Sequence, residues 1–317
     1  MTGETKSPIP ALGVVGPTAS GKSALAMMLA QSLGGEILNM DSMQVYRRMD
    51  IGTAKPSRTD QALVRHHLLD IVEPYDNFSV AQYARLAEQA VQDVYARGAL
   101  PVLTGGTGFY LRALTDGLRL GGVPSDAAVR ERLKSEAAQA GGKRALFERL
   151  RKAYPAAAAK LHENDVLRVT RALEVLELTG KPISQQERPA DAAPFRFCLL
   201  GTTLERETLY RRIEARVDGM LEQGLPDEVS ALLASGVSPQ AQAMQGIGYK
   251  ELAPVMLCNA PLWEAVELMK RNTRRYAKRQ GTWFRAVPGV VWLDMCRPES
   301  MMEALRIAGA FWKEAKA

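Results

Sequence analysis

The residues with the most specific chemistry stand near the start of the chain. Gly16-Pro17-Thr18-Ala19-Ser20-Gly21-Lys22-Ser23 fits the spacing G-x-x-x-x-G-K-[ST]. The apolar run at 11–15 predicts a buried strand ahead of it, and the strong helix formers at 24–30 predict a helix behind it. Strand, glycine-rich turn and helix is the context that gives this pattern a physical meaning. Backbone N–H groups curl around phosphate oxygens there, and the helix N-terminus adds partial positive charge. Lys22 supplies a full charge, and the Ser23 hydroxyl is placed to hold Mg²⁺. A phosphate group is the expected occupant.

Other candidates sit where strands should end. Residues 35–40 read as a second strand that stops at Asp41-Ser42, on the edge where open α/β sheets bind ligands. A carboxylate there can serve as a general base, a helix cap or a Mg²⁺ ligand. Leu100-Pro101-Val102-Leu103-Thr104 reads as a strand opening into Gly105-Gly106-Thr107-Gly108, a second glycine-rich turn. Arg212 and Arg216 lie four apart on a helix expected over 205–223 and so share a face. Residues 269–285 carry seven Lys or Arg, no acid, and Tyr276, Trp283 and Phe284 among them. Such a helix suits a nucleic-acid backbone with unstacked bases, or else one solvated face with its aromatics in the core. His66 and His67 open a strand expected over 66–72; neighbours on a strand point to opposite faces and cannot chelate one metal.

These candidates need a scaffold to position them. The chain has 317 residues, 46% hydrophobic and 24% charged, ordinary for a globular protein with a real core. Its 41 Lys+Arg against 35 Asp+Glu give +6, a mild excess. Three scattered cysteines, Cys198, Cys258 and Cys296, offer neither a zinc pattern nor a disulfide framework. No apolar run approaches a membrane span and no signal peptide is evident, so a cytoplasmic protein with no membrane partner is expected. Nothing demands a partner chain, and a monomer is expected. Strands at 11–15, 35–40, 66–72, 100–104, 195–201 and 290–294 alternate with helices at 78–97, 109–114, 205–223, 269–285 and 298–313. From 125 to about 180 only helices are predicted, at 127–139, 143–152 and 165–178. The expected fold is α/β, a parallel sheet of the phosphate-loop type flanked by helices. Its core spans 8–117 and 195–317, and an all-helical domain is inserted at 118–194.

The blocks together are similar to those of a known family. Residues 16–23, Asp41-Ser42-Met43-Gln44-Val45-Tyr46 and Met49-Asp50-Ile51-Gly52-Thr53-Ala54-Lys55-Pro56 follow in the order and spacing of bacterial tRNA dimethylallyltransferases. His66-His67-Leu68-Leu69-Asp70, Gly105-Gly106-Thr107-Gly108-Phe109-Tyr110, Arg168-Val169-Thr170-Arg171-Ala172-Leu173-Glu174, Gln245-Gly246-Ile247-Gly248-Tyr249 and residues 278–285 resemble it too. The likeness runs from about residue 12 to 294. Arg48 departs from it, standing where the family more often has Gly, and the zinc finger of the eukaryotic members has no counterpart here.

The resemblance implies transfer of a five-carbon prenyl group from dimethylallyl diphosphate to N6 of the adenine 3′-adjacent to the tRNA anticodon, releasing diphosphate. It implies that Gly16, Pro17, Thr18, Ala19, Ser20, Gly21, Lys22 and Ser23 hold the diphosphate, with Mg²⁺ at Ser23. Asp41 becomes the base, Arg216 stabilises the leaving group, and Thr107 lies near the reacting centre. Contacts to tRNA are implied for Asp41, Ser42, Met43, Gln44, Thr107, Arg130 and Arg168, with Arg171 beside them. They are implied also for Gln245, Gly246, Ile247, Gly248, Tyr249, Lys250, Lys278, Arg279, Gln280, Thr282, Trp283 and Arg285. The adenine would leave its stack to reach the site. Other readings of the phosphate loop are a nucleotide kinase, an enzyme prenylating free AMP, or an RNA-binding protein with a vestigial loop.

Overall fold

The computed structural model describes residues 8–115, 126–182 and 195–316. The chain forms two compact units, Met1–Leu118 with Asp191–Ala317, and Arg119–Ala190. The first begins with β1 (Ile9–Val15), α1 (Lys22–Leu33), β2 (Gly35–Asn39), α2 (Arg58–Leu63), β3 (His66–His67), α3 (Val80–Ala96), β4 (Leu100–Thr104) and α4 (Gly108–Thr115). The second holds α5 (Ala127–Ala138), α6 (Gly142–Ala153), α7 (Pro155–Ala158) and α8 (Val166–Thr179). The first unit resumes with β5 (Phe195–Thr203), α9 (Arg206–Glu222), α10 (Leu225–Ala234), α11 (Tyr249–Cys258), α12 (Leu262–Arg285), β6 (Val290–Asp294) and α13 (Ser300–Lys316).

Six strands make one parallel sheet in the order β3-β2-β4-β1-β5-β6. Central β1 sets Leu12 opposite both Val102 and Cys198. It is buried along its length except at Ile9, which is why its sequence is a continuous apolar run. Alternate residues serve opposite faces. Leu12 and Val14 pack with Leu25, Leu29, Ala304 and Trp312 of α1 and α13. Ala11 and Val15 join Leu38, Leu103, Val91 and Leu111 on the other face. Because β1, β4 and β2 are parallel neighbours, the turns that follow them emerge side by side on one edge. That puts the glycine-rich loop, Asp41 and the Gly105-Gly106 turn within reach of one another.

The helical unit has its own core of Leu133, Leu146, Leu150, Val169 and Leu173. Inside it Glu174 is fully buried, bound by Arg130, Arg171 and the Asp126 N–H. Burial acts to raise this carboxyl, but those partners outweigh it and hold it below the usual glutamate range.

The α3 helix starts where Ser79 and Gln82 form a reciprocal capping box, and α8 stops at Gly180 with φ 67°. The loop expected after Lys181-Pro182 falls mostly outside the described residues. Several expectations change. The strand expected over 66–72 is only His66–His67, because Leu68 and Asp70 adopt φ of 63° and 54° and turn the chain out of the ladder. Its histidines serve neighbours: His66 Nδ1 lies 2.7 Å from the Val64 carbonyl and His67 Nε2 2.5 Å from Glu36. Three helices, α2, α7 and α10, occupy stretches for which no helix was expected. Serine and aspartate in a capping box start α2, and Pro226, harmless in a first turn, sits at the start of α10.

Arg48 has φ of 61°, a left-handed conformation that suits glycine and strains a residue with a Cβ. Its guanidinium donates 3.1 Å to the Ser235 hydroxyl and is half exposed. Arg48→Gly is expected to raise stability by about 1 kcal/mol, the left-handed penalty outweighing the exposed contacts to Ser235 and Glu73. Chemical denaturation checks this, through a higher midpoint at unchanged slope.

Candidate active site

The glycine-rich loop closes on itself between β1 and α1. Buried Ser20 donates from Oγ to the Pro17 carbonyl at 2.7 Å and lies 2.5 Å from Thr202 Oγ1 of β5. Lys22 folds back, its Nζ 3.2 Å from the same carbonyl. The amide N–H of Thr18 donates 2.8 Å to Gln280 Oε1 of α12, and the Thr18 hydroxyl accepts from Arg216 of α9 at 3.4 Å. Loop, α9 and α12 thus converge on one threonine. Ser23 is exposed in the first turn of α1.

Asp41 is fixed by backbone and side chain together. Asn39, 2% exposed at the end of β2, accepts from the Asp41 N–H at 2.9 Å. Its Nδ2 donates to the carbonyls of Asp41 and Leu68 at 3.0 and 3.1 Å. The carboxylate oxygen Oδ1 accepts from the Met43 N–H at 2.9 Å. Oδ2 faces the next turn, 3.8 Å from where a Cβ on Gly106 would stand. Thr107 completes this wall: its N–H donates to the Met40 carbonyl at 3.2 Å, and its hydroxyl accepts from the Ser42 N–H at 2.9 Å.

The second glycine turn is needed for closeness. Gln280 Nε2 donates to the Gly106 carbonyl at 2.9 Å, and a Cβ at Gly106 would collide with that same nitrogen. Gln280 therefore bridges the two glycine-rich loops, one through each end of its amide. The Tyr276 hydroxyl lies 3.5 Å from the Gly106 carbonyl; burial and then the Asp41 charge raise its pKa.

The electrostatics set these groups apart from surface charges. Desolvation pulls the Lys22 ammonium down to about 8, with Arg216 pushing the same way and Asp41 opposing. Desolvation raises the Asp41 carboxyl, against the Met43 N–H, Lys22 and the Gln44 N–H. The two groups feel each other, yet no ion pair closes between them among the described residues. A poised carboxylate beside a cationic phosphate loop can deprotonate one reactant while the loop stabilises a departing anion.

The remaining residues singled out in the sequence divide by exposure. On α12, Lys278, Arg279, Thr282 and Arg285 are exposed with Arg271 and Arg275, while Phe284 is buried and Trp283 lies partly buried against Gly108. Lys270 and Arg274 pair with Asp218 and Glu214. Gln245 and Lys250 are exposed, Ile247 is half-buried, and Gly246 packs against Met43. Two side chains grouped with the RNA contacts turn inward. Gln280 is 5% exposed with both amide ends committed, and Tyr249 is 0% exposed with its hydroxyl 2.6 Å from Glu228. On the helical unit, Arg130 is tied to Glu174, and exposed Arg168 reaches Asp165 at 3.4 Å. Sequence reading missed Asn39, Thr202 and Glu228. Of these only Asn39 left a signal, a lone amide closing an apolar strand just before Asp41.

Among the described residues no helix is long and apolar enough to cross a membrane. The family profile described as IPP transferase matches residues 44–287. The chain is 48% identical over 296 residues to a protein of Pelotomaculum thermopropionicum named tRNA dimethylallyltransferase, covering 93% of each. The chain belongs to the tRNA dimethylallyltransferase family. A family member of that name from Geobacter sulfurreducens is 50% identical over 286 residues, covering 89% of this chain and 90% of that one. Among solved tRNA dimethylallyltransferase-type structures, the full-length tRNA isopentenylpyrophosphate transferase of Bacillus halodurans superposes with a TM-score of 0.73 at 41% identity. It covers 97% of this chain and 98% of its own. A eukaryotic dimethylallyltransferase solved acting on tRNA gives 0.81 at 29% identity, with 96% of this chain and 80% of that one covered.

Proposed function

We propose that this enzyme transfers a dimethylallyl group from dimethylallyl diphosphate to N6 of the adenine 3′-adjacent to the anticodon of tRNA, releasing diphosphate and acting as a single chain. The observation that carries the reading is the placement of Asp41. Its Oδ1 is tethered to Met43 N–H while Oδ2 faces the Gly106 turn beside the phosphate loop, within the field of Lys22.

Residues 16–23 hold the diphosphate in this proposal, with Lys22 and Arg216 countering the charge that gathers as the allylic C–O bond breaks. The Ser23 hydroxyl, exposed in the first turn of α1 directly behind the phosphate loop, would hold Mg²⁺. When bound, the ion would add charge neutralisation at the leaving group. The adenine amine is a poor nucleophile because its lone pair is delocalised. Asp41 Oδ2 takes its proton as the C–N bond forms, and Thr107 keeps Asp41 and Ser42 in register across the site. The exposed cations of α12 and the arginines Arg130, Arg168 and Arg171 of the helical unit supply phosphate contacts to RNA.

Incubating the protein with labelled dimethylallyl diphosphate, Mg²⁺ and an anticodon stem-loop tests this; label should enter the RNA, and ATP turnover without RNA labelling would contradict it. Lys278→Ala with Arg279→Ala is expected to raise KM for the RNA about tenfold and leave the donor KM unchanged. The slope of log affinity against log salt should fall by roughly 1.4 to 1.8, the loss of two phosphate contacts. An unchanged slope would remove these residues from the RNA surface.

A further inference from the structure

One buried amide ties the two glycine-rich loops together. Gln280 of α12 meets backbone groups of opposite kind at its two ends. The Thr18 N–H only donates and takes Oε1 at 2.8 Å; the Gly106 carbonyl only accepts and takes Nε2 at 2.9 Å. Those partners allow the amide a single orientation. One turn earlier on α12, the Tyr276 hydroxyl approaches the same Gly106 carbonyl at 3.5 Å.

Each end of the link is anchored to one half of the site. Thr18 belongs to the phosphate loop, and its hydroxyl accepts from Arg216. Ala19 beside it shares a small apolar cluster with Ile213 of α9 and Ala277 of α12. At the other end, the Gly105-Gly106 turn leans on the end of β2. A Cβ on Gly105 would come within 2.1 Å of the Met40 carbonyl oxygen, and that oxygen accepts from the Thr107 N–H. Asp41 is the next residue along. Group transfer needs nucleophile, carbon and leaving oxygen in one line, and a misplacement of about 1 Å costs on the order of 10²-fold in rate.

We propose that Gln280 is a positioning residue that sets the separation between the phosphate loop and the Asp41–Thr107 wall, aligning the departing diphosphate with the general base while touching neither substrate. The inference rests on the prenyl-transfer reading above, and it gives Gln280 a role other than the RNA contact the resemblance implied. Gly106 belongs to the same device. Its backbone needs no positive φ, and a Cβ there would meet Gln280 Nε2 at 2.1 Å. The nearest atom outside Gln280 is Asp41 Oδ2, at an ordinary 3.8 Å. Glycine at 106 therefore serves to let this one amide reach the carbonyl.

The test uses the full chain with Mg²⁺, dimethylallyl diphosphate and an anticodon stem-loop, and compares Gln280→Ala, Gly106→Ala and the double variant. Single-turnover rates at saturation and equilibrium affinities are both measured. Each single variant should react about 10²-fold more slowly, with Kd for RNA and for donor within about twofold of wild type. The double variant should be within about threefold of the slower single one, because both changes remove one link. General loosening would instead multiply the losses to about 10⁴-fold and weaken binding. Should either alanine variant fail to fold, Gln280→Met, which keeps the side-chain volume, decides alone through the same split of rate from affinity. Multiplying losses, a rate within about threefold of wild type in Gln280→Ala or Gln280→Met, or a loss confined to RNA affinity would overturn the inference. Absence of label transfer to the stem-loop by the wild type would instead overturn the function itself.

Discussion

Asp41→Asn is expected to lower kcat by about 10²- to 10⁴-fold, the usual worth of a positioned general base. Asparagine is nearly the same shape and keeps an oxygen for the Met43 N–H. The variant should therefore bind dimethylallyl diphosphate and RNA with unchanged affinity, and the loss should fall on kcat. A second consequence separates chemistry from folding. Burial raises the Asp41 carboxyl, so its ionised form is disfavoured in the fold. The sign follows from linkage: between the ordinary aspartate value and the raised one, the folded state binds more protons than the unfolded state, and stability falls as pH rises. Above that window the wild type carries the full penalty, and Asp41→Asn carries none. The variant should melt higher than the wild type at neutral pH while being nearly inactive. Thermal unfolding beside single-turnover kinetics checks both halves; a variant that melts lower and loses affinity for both substrates would mark Asp41 as a structural residue.

Lys22→Met should cost about 10² to 10³ in kcat/KM for the diphosphate donor, comparable to removing a preorganised stabiliser of transition-state charge. The pH dependence is the more specific signature. In the free enzyme Lys22 titrates near 8 because desolvation and Arg216 outweigh Asp41. Wild-type kcat/KM for the donor should fall as pH rises through about 8, when the ammonium is lost, and fall again at low pH as Asp41 takes a proton. Lys22→Met should lack the alkaline limb. Stability follows the opposite course. The unfolded chain holds the lysine proton up to 10.5, the folded chain only to about 8, so the wild type gains stability across that interval and Lys22→Met does not. An alkaline limb of equal steepness in the variant would assign that limb to another group.

Much of this site is legible in the sequence alone, and the reasons are local. The phosphate loop is contiguous, and its strand and helix carry their own periodicity, so residues 16–23 and the sheet edge followed from neighbours in sequence. Asp41 and Thr107 were legible for the same reason, each ending a strand. The partners that orient them were not. Thr18 meets Gln280 and Gly106 meets Gln280 through contacts 262 and 174 residues apart in sequence, and no periodicity encodes them. Composition even misdirected: Gln280 lies in a run of Lys and Arg and reads as an RNA contact, yet its position on α12 faces inward. Tyr249 was misplaced likewise, because a glycine-bracketed tyrosine looks like a loop residue and is instead the wall on which Gly52 packs. Leu68 and Asp70 ended β3 early through backbone angles that leucine does not advertise. Arg48 is the converse case, where the glycine usual in the family already hinted at the positive φ found there.

In the proposed reaction the phosphate loop and the desolvated Asp41 carboxylate act on two substrates at once. Its most direct test is a single-turnover reaction of wild type and Asp41→Asn with saturating dimethylallyl diphosphate, Mg²⁺ and an anticodon stem-loop, followed by digestion of the RNA and mass spectrometry of its nucleosides. The expected result is one adenosine carrying a five-carbon group on N6, formed with an equal amount of diphosphate by the wild type and almost none by the variant. Prenylated adenosine appearing at the same rate with Asp41→Asn, or diphosphate released by the wild type with no prenylated nucleoside, would contradict it.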